Sequence, residues 1–590
     1  MKFPSRFIAL SAAVIVAGTA GAQQAQTSPS EGGAAPNWDV LMRGRTHVPT
    51  PTTPAITAAD LKTRLYIFAD DSMQGRLLAT AGNVKAVEYI AAEVKRMGLE
   101  PMGDNGTYFQ KVNLVDRKFD PSSRLAVGST AFNPWTDFAV RDQGSAARSL
   151  DGVQAIFGGT WGDSASLIDP AAASGKLVVL KVNPNGVSQN SGGGVNRGLV
   201  TRHFANAAGI AVASLEAMPP LMLQLFQQPN QLLKDGEDPV VPSFLYVNKR
   251  VADALLIANI DSVKVGALGA TVTSTPRFGE FPTEYPARNV VALIRGSDPK
   301  LREEYVAIGA HNDHIGWSTR PVAHDSIYIV NHLFRTGGAD DRPPQLDATQ
   351  QAQVNALIAD IRKRTDGVSA RPDSIYNGAD DDGSGSVSAL EIAQYFAAQK
   401  VKPKRSLLFV WHVGEEEGLY GSEWYTDHPT VPRASIVAQL NMDMVGRGAA
   451  TDNTGITKEG QRYHGNPNYV QLVGSRRLST ELGDLAEAVN KTEKRPLSFD
   501  YSMDVNGHPQ NIYCRSDHYE YARYGIPIIF FTTGGHADYH QVTDEPQYID
   551  YDRMARVAQY IADLATKVAN LDHRPVVDKP KPDPHGQCVQ

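Results

Sequence analysis

The chain is poor in cysteine, in long apolar runs and in positive charge. Among its 590 residues only Cys514 and Cys588 are cysteines, which excludes a cysteine-rich scaffold and a thiolate metal site. Pairing of these two in an oxidising compartment is left open, since spacing alone does not supply the geometry a disulfide needs. Cys588 also lies in a Pro- and Lys-rich stretch, 571–590, expected to be a disordered tail. No run reaches the roughly 20 apolar residues of a spanning helix, so stable membrane insertion is not expected. A formal net charge of −7 offers no basic surface to nucleic acid. Gly-x-Ser-x-Gly and phosphate-loop motifs are missing too, and the serine hydrolase and nucleotide readings go with them.

What is present is globular in composition, with 42% hydrophobic and 21% charged residues. The length suggests roughly two to four domains. Lys2 and Arg6, the apolar run from Phe7 to Ala17 and the small residues Ala20-Gly21-Ala22 have the three parts of a secretory signal. Cleavage is expected near Ala22, giving a soluble exported protein, periplasmic or extracellular. Residues 23–57 read as a flexible lead-in. Order begins near Ala58, and Val84, Val87, Ile90, Ala91 and Val94 recur at helical spacing before Gly98.

From 137 to 272 the texture changes to short β-like runs bounded by glycine, such as Gly175-Lys176-Leu177-Val178-Val179-Leu180. No acid or histidine cluster falls there, so this reads as an inserted domain without the chemistry. After Pro286, strand-like runs at 290–294, 305–310, 407–413, 436–442 and 526–531 alternate with helical periodicity. The expected fold class is α/β, with a mixed, largely parallel central sheet flanked by helices. The segment 318–374 interrupts this alternation and carries an amphipathic helix with Val354, Leu357, Ile358 and Ile361 on one face. A lid, a dimer contact and plain packing all fit it.

The chemistry gathers at strand ends. Leu407 to Val413 is apolar and then stops at Gly414-Glu415-Glu416-Glu417-Gly418. Crowded carboxylates raise one another's pKa unless a cation or solvent holds them. Tyr305 to Ile308 leads into Gly309-Ala310-His311-Asn312-Asp313-His314, where Asp313 can support the second nitrogen of the His311 imidazole. Asn377-Gly378-Ala379-Asp380-Asp381-Asp382-Gly383-Ser384-Gly385 precedes a helix, and its contiguous acids do not have calcium-loop spacing. Gln439-Leu440-Asn441-Met442-Asp443 is another strand ending in an acid, and Gly535-His536-Ala537-Asp538-Tyr539-His540 follows a further strand, with Asp544 just beyond. Taken singly, each could be a solvated turn. Together they bring His, Asp, Glu, Asp and His to the ends of successive strands, where open α/β folds place their sites. That is enough nitrogen and oxygen for two divalent cations, and the donor types favour zinc, with cobalt or manganese as substitutes.

In this order the five motifs closely resemble those of the co-catalytic di-zinc exopeptidases, the family of secreted bacterial aminopeptidases and glutamate carboxypeptidases. The resemblance covers about 58–136 and 286–570, read as two parts of one peptidase domain. It implies that Asp381 bridges two zinc ions, that His311 and Asp443 complete one, and that Glu416 and His540 complete the other. Glu415 would be the general base acting on a water between the metals, with Asp313 supporting His311. Tyr513 falls where some members carry an oxyanion-stabilising tyrosine, though a buried structural tyrosine fits equally well. Members often carry a protease-associated domain, which the 137–272 segments resemble. The implied activity is exopeptidase cleavage of peptide substrates, first as an aminopeptidase. A carboxypeptidase or dipeptidase of the glutamate carboxypeptidase type is the alternative, and a non-catalytic binding protein on the same fold is a reading from another class. Asp380, Asp382 and Glu417 are candidates to anchor a free amine, and the sequence does not choose among them. Side-chain preference and oligomeric state are not legible.

Overall fold

The computed structural model describes residues 38, 41, 45–182, 197–274, 276–335, 344–364 and 372–590. The expected export signal and most of the lead-in lie outside them. The chain divides into two compact units, Asn113–Thr283 and the remainder on either side of it. The inserted unit is therefore wider than 137–272. Among the strands it gains, Leu114–Phe119 pairs antiparallel with Asn230–Leu233 and Phe278–Pro282. Asp116, Arg117 and Lys118 put charge on both faces of that strand, with Arg117 buried, which is why its pattern does not read as β.

In the larger unit, the first helix, Ala58–Phe68, is capped by Thr57, whose side chain accepts from the Asp60 amide. The second, Ala81–Arg96, is capped by Thr80 and buries Val87, Ile90, Ala91 and Val94 along one stripe. The central sheet runs in the order Glu100–Pro101, Arg288–Ile294, Ser406–His412, Tyr305–His311, Ile436–Met442, Ile528–Thr532, Tyr469–Val473 and Ser498–Asp500, with Phe109–Lys111 also on Arg288–Ile294. The four strands from Ser406–His412 to Ile528–Thr532 are parallel. Antiparallel neighbours flank them on both sides.

Both faces of this sheet are covered. Leu407, Phe409 and Trp411 point into one core with helices Ala58–Phe68, Ala81–Arg96, Gly385–Ala398 and Tyr551–Asn570. The alternate residues Leu408 and Val410 enter the opposite core with Tyr425, Tyr519 and Tyr521. Burial on both faces explains why Leu407 to Val413 reads as a continuous apolar run rather than an alternating one. Trp411 is wholly buried and donates its indole N–H to the Ser386 carbonyl at 3.0 Å. Its truncation to alanine would cost about 3–5 kcal/mol. With both faces sealed, the carboxyl ends of the parallel strands are where polar groups gather.

Two helices of the 318–374 segment, His324–Phe334 and Ala348–Arg364, pack through Tyr328, Ile329, Val354 and Ile361 against Tyr548. The stretch from 571 is packed, in contrast to the disordered tail expected from its composition. The Asp578 amide donates to the Leu478 carbonyl at 3.1 Å, and Cys588 forms a disulfide with Cys514. The Gln590 side chain is buried, and its Oε1 accepts a hydrogen bond from the Tyr513 amide at 3.0 Å. Backbone pairing and a cross-link hold what proline and lysine content alone would release.

The smaller unit has its own sheet, with Gln154–Trp161, Leu177–Val182, Gly209–Ala213 and Ser243–Val247 parallel at its centre. Its helices include Pro220–Gln227 and Lys249–Leu256, so it is more α/β than β-rich. Among the described residues, none of its acids or histidines belongs to a group able to hold a metal.

Candidate metal centre

His311 is the last residue of its strand and is buried. Its backbone N–H donates to Asp382 at 3.0 Å, which ties this strand end to the 378–384 loop. The Asp382 carboxylate also accepts from the amides of Gly385 at 2.8 Å and Met444 at 3.2 Å. Both of its oxygens are committed to shaping the loop, although it lies near enough to His311 and Asp443 to be grouped with them. Asp381, whose Oδ1 faces His311 Nε2, is the carboxylate better placed to act as a donor on this side. Arg76, buried below the loop, donates to the carbonyls of Asn377 at 2.6 Å and Gly378 at 2.9 Å. Its pKa is lowered to about 10 by burial. From the other direction, Asp544 accepts from the amides of Asp380 at 3.0 Å and Asp381 at 3.1 Å.

The loop thereby presents Asp381 with its two oxygens facing different imidazoles. Oδ1 lies 3.2 Å from His311 Nε2 and Oδ2 lies 3.0 Å from His540 Nε2. On the His311 side, Asp443 Oδ1 stands 3.8 Å and Glu415 Oε2 4.0 Å from the same Nε2. The Ser516 hydroxyl donates to the other oxygen of Asp443 at 2.7 Å. On the His540 side, Glu416 Oε2 stands 3.0 Å from His540 Nε2, and Glu416 Oε1 lies 2.6 Å from His314 Nδ1. Asp313 sits behind both sides. It lies 3.6 Å from His311 Nδ1 and accepts from the amides of Glu415 at 3.2 Å and Glu416 at 3.4 Å.

The donor set fits divalent cations. His311 Nε2, His540 Nε2 and Asp381 Oδ2 are buried atoms without a hydrogen-bond partner, which is costly unless something binds them. Nitrogen and oxygen donors without thiolate suit zinc, and Asp381 in the middle suits a pair. Without a cation, the charges lean on protons. Burial works against a charged His540, yet Glu416 and Asp381 outweigh it and raise its pKa to about 10. Burial likewise opposes ionisation of Glu416, but His540 and His314 overcome it and bring it to about 2. Glu415 is pushed well above the usual carboxylate range, first by burial and then, against His311, by Asp443 and Glu416. A carboxyl held in that way is primed to carry a proton.

Of the residues singled out in the sequence, His311, Asp381, Glu416, Asp443, His540, Glu415 and Asp313 converge here. Tyr513 differs: its ring packs against His518, Tyr519 and Arg477, and burial raises its pKa. None of these contacts is with the cluster, so the buried structural tyrosine is the better description. Asp380 is not placed to anchor an amine, since it accepts from the Gly446 amide at 2.7 Å and faces His536 at 3.2 Å. Asp382 is ruled out by its own amide bonds. Glu417 is partly exposed and belongs to neither group of donors.

Reading the sequence missed His314, Asp544, Ser516 and Arg76. Three of these act on or through backbone atoms or another side chain, and no residue pattern announces that. A third group, His324 with Asp373 and Glu545, has its histidine between Asp325 at 2.9 Å and Glu545 at 2.8 Å. With His332 facing Asp538 at 2.9 Å, it ties the 318–374 segment to the loop that carries His540.

The fold and the site define an α/β protein whose strand ends are equipped to hold metal. Residues 363–565 match the model of peptidase family M28, a stretch that includes every cluster residue except His311, Asp313 and His314. The resemblance to the zinc exopeptidases thus stands on independent grounds. The chain is 35% identical over 120 residues to a probable leucine aminopeptidase of Arthroderma benhamiae, covering 18% of this chain and 34% of that relative. It is 27% identical over 242 residues to leucine aminopeptidase 1 of Ajellomyces capsulatus, covering 38% of this chain and 57% of the relative. The chain therefore spans about a third to somewhat over half of these curated relatives. Among solved structures, an aminopeptidase from Aneurinibacillus sp. strain AM-1 aligns over 89% of this chain and 97% of its own, at 16% identity and a TM-score of 0.43.

Proposed function

We propose that this protein is an exported two-zinc exopeptidase that removes residues from the amino terminus of peptides. The observation that carries the reading is the division of Asp381 between two imidazoles, with Glu415 beside one of them. Zinc ions held there by His311 and Asp443, by Glu416 and His540, and by Asp381 in common would supply Lewis acidity, acidifying a water and polarising the scissile carbonyl.

The chain's own groups do the rest. Asp313 lies on the Nδ1 side of His311, at 3.6 Å, and Nε2 faces Asp381 and Asp443 as the donor nitrogen. Ser516 fixes Asp443, and Asp544 fixes the backbone of Asp381. Glu415 takes the water's proton on its carboxylate and returns it to the leaving amine nitrogen. The amino-terminal preference is supported by relatives named leucine aminopeptidase. Export is supported by the signal-like leader and by the Cys514–Cys588 disulfide, a bond of oxidising compartments. No helix among the described residues is long and apolar enough to cross a membrane. We read the 113–283 unit as a protease-associated domain and the helices of 318–374 as the wall that sets access on the His540 side.

Cleavage of unblocked and amino-blocked peptides, before and after chelation and zinc return, tests the reading. Hydrolysis of unblocked peptides alone, lost on chelation and restored by zinc, is expected. Chelator-insensitive cleavage would end the metal mechanism, and a preference for blocked peptides would end the aminopeptidase assignment.

A further inference from the structure

The two halves of the donor cluster are unequal. On the His311 side the donors are His311, Asp443 and the shared Asp381. On the other side they are Glu416, His540, the shared Asp381 and a residue not yet given a role, His314. Its ring is wholly buried. Nδ1 points at Glu416 Oε1 at 2.6 Å and at Asp381 Oδ2 at 3.8 Å. Those are the same two carboxylates that His540 Nε2 faces, each at 3.0 Å. One atom from each of His314, Asp381, Glu416 and His540 lies within 4.8 Å of all the others, so the four enclose a common point.

The surroundings hold the ring there. A Cβ on Gly378 would come within 2.6 Å of the His314 ring atoms, and Gly378 has a φ of +57°, which glycine accommodates most readily. The His314 amide donates to the Arg76 carbonyl at 3.3 Å, the same arginine that anchors the metal loop. The rings of His314 and His540 meet edge to face at 5.5 Å. The far nitrogen, Nε2, is buried without a hydrogen bond, so no outer partner turns the ring to another use.

Resting on the two-metal reading, we propose that His314 is a fourth protein donor to the second metal, through Nδ1. Zinc with four protein donors is closed, whereas zinc with three keeps a position open. The His540 side then becomes a retained, largely structural ion, and the open position that water and substrate need falls on the His311 side, next to Glu415. The alternative is that His314 only donates a hydrogen bond to Glu416.

Zinc titration of the demetallated full-length chain against a competing chelator separates these. The wild type is expected to bind two ions with distinct affinities. In His314→Ala the weaker site should be unchanged and the tighter one weakened by more than about 100-fold, beyond the 10- to 100-fold expected of a merely supporting group. His314→Asn places an amide N–H near Nδ1: restored affinity would overturn the donor role in favour of a hydrogen bond, and unrestored affinity supports it. X-ray absorption of the unmutated zinc-loaded protein gives a readout that does not depend on a variant folding. Three imidazoles shared by two zinc ions are expected, and two would overturn the proposal. A wild type that binds a single ion would instead overturn the two-metal reading beneath it. Two ions with unchanged affinities in His314→Ala would sink this inference alone.

Discussion

Among the described residues, each unit has a sheet with a parallel centre, and the strand ends of one of the two carry the metal-binding groups. In the 113–283 unit, Gly209–Ala213 runs out into Ser214, and Ser243–Val247 into Asn248, whose side chain caps the next helix by accepting from the Val251 amide at 3.0 Å. The buried charge of that unit is spent internally: Arg117 is surrounded by Asp142, Asp238 and Glu280. In the larger unit the corresponding strand ends deliver His311, Glu415, Glu416 and Asp443, and the imidazoles there keep nitrogens without a hydrogen-bond partner among the described residues. Architecture is shared and function is not. What separates the units is the first few residues beyond each strand.

The comparison breaks most sharply at Asp381. Asp381→Ala should remove both metals together and take activity below detection, measured by metal content and turnover on one sample; retention of either ion would mean that Asp381 is not shared. A smaller effect is the pH dependence of metal binding. His540, with a pKa of about 10, and His311, raised well above its usual range, both hold protons at neutral pH in the metal-free chain. Zinc must displace them, so apparent affinity should fall as pH falls, roughly tenfold per unit for each proton released. Calorimetry in buffers of different ionisation enthalpy counts those protons, and no release at pH 7.5 would contradict the assignment. The sign for stability follows the same shifts. His540 stabilises the metal-free fold fully below its ordinary pKa, a contribution lost as pH rises through about 10. Glu416 contributes above its ordinary pKa and loses that contribution as pH falls towards about 2. The smallest expected effect lies in the other unit. Arg117→Met should cost about 1–2 kcal/mol of that unit's stability, because Asp238 and Glu280 keep only Lys234 and Asp142 loses its cation, while zinc content stays the same. A change in zinc content would show that the units are not chemically separate.

Much of this difference is legible in the sequence, because a buried strand that stops at acids is a local pattern. Leu407 to Glu417 and Tyr305 to His314 show it directly, and four strand ends together with the 377–385 loop locate the cluster. What stays hidden depends on the third dimension. Asp544 acts on the amides of Asp380 and Asp381, and Arg76 on carbonyls some three hundred positions away. His314 is three residues after His311, where strand alternation would send it to the other face. It joins the cluster because the chain has already left the strand at Asn312. Tyr513 shows the reverse: its position near Ser516 suggests a role, but its ring packs in the core. The edges of the inserted unit are hidden because Leu114–Phe119 carries three charges, and the packing of 571–590 because a disulfide and backbone bonds override composition.

The three glutamates after Val413 concentrate the whole account. They are adjacent in sequence, yet Glu415 lies 4.0 Å from His311, Glu416 lies between two imidazoles, and Glu417 joins neither group. The decisive measurement is zinc content and turnover of Glu415→Gln, with Glu417→Gln alongside. The expected result is two zinc ions per chain with kcat lowered by about 10²- to 10⁴-fold in the first, and both quantities near the wild type in the second. Full turnover in Glu415→Gln, or loss of its zinc, would contradict the division of roles on which the mechanism stands.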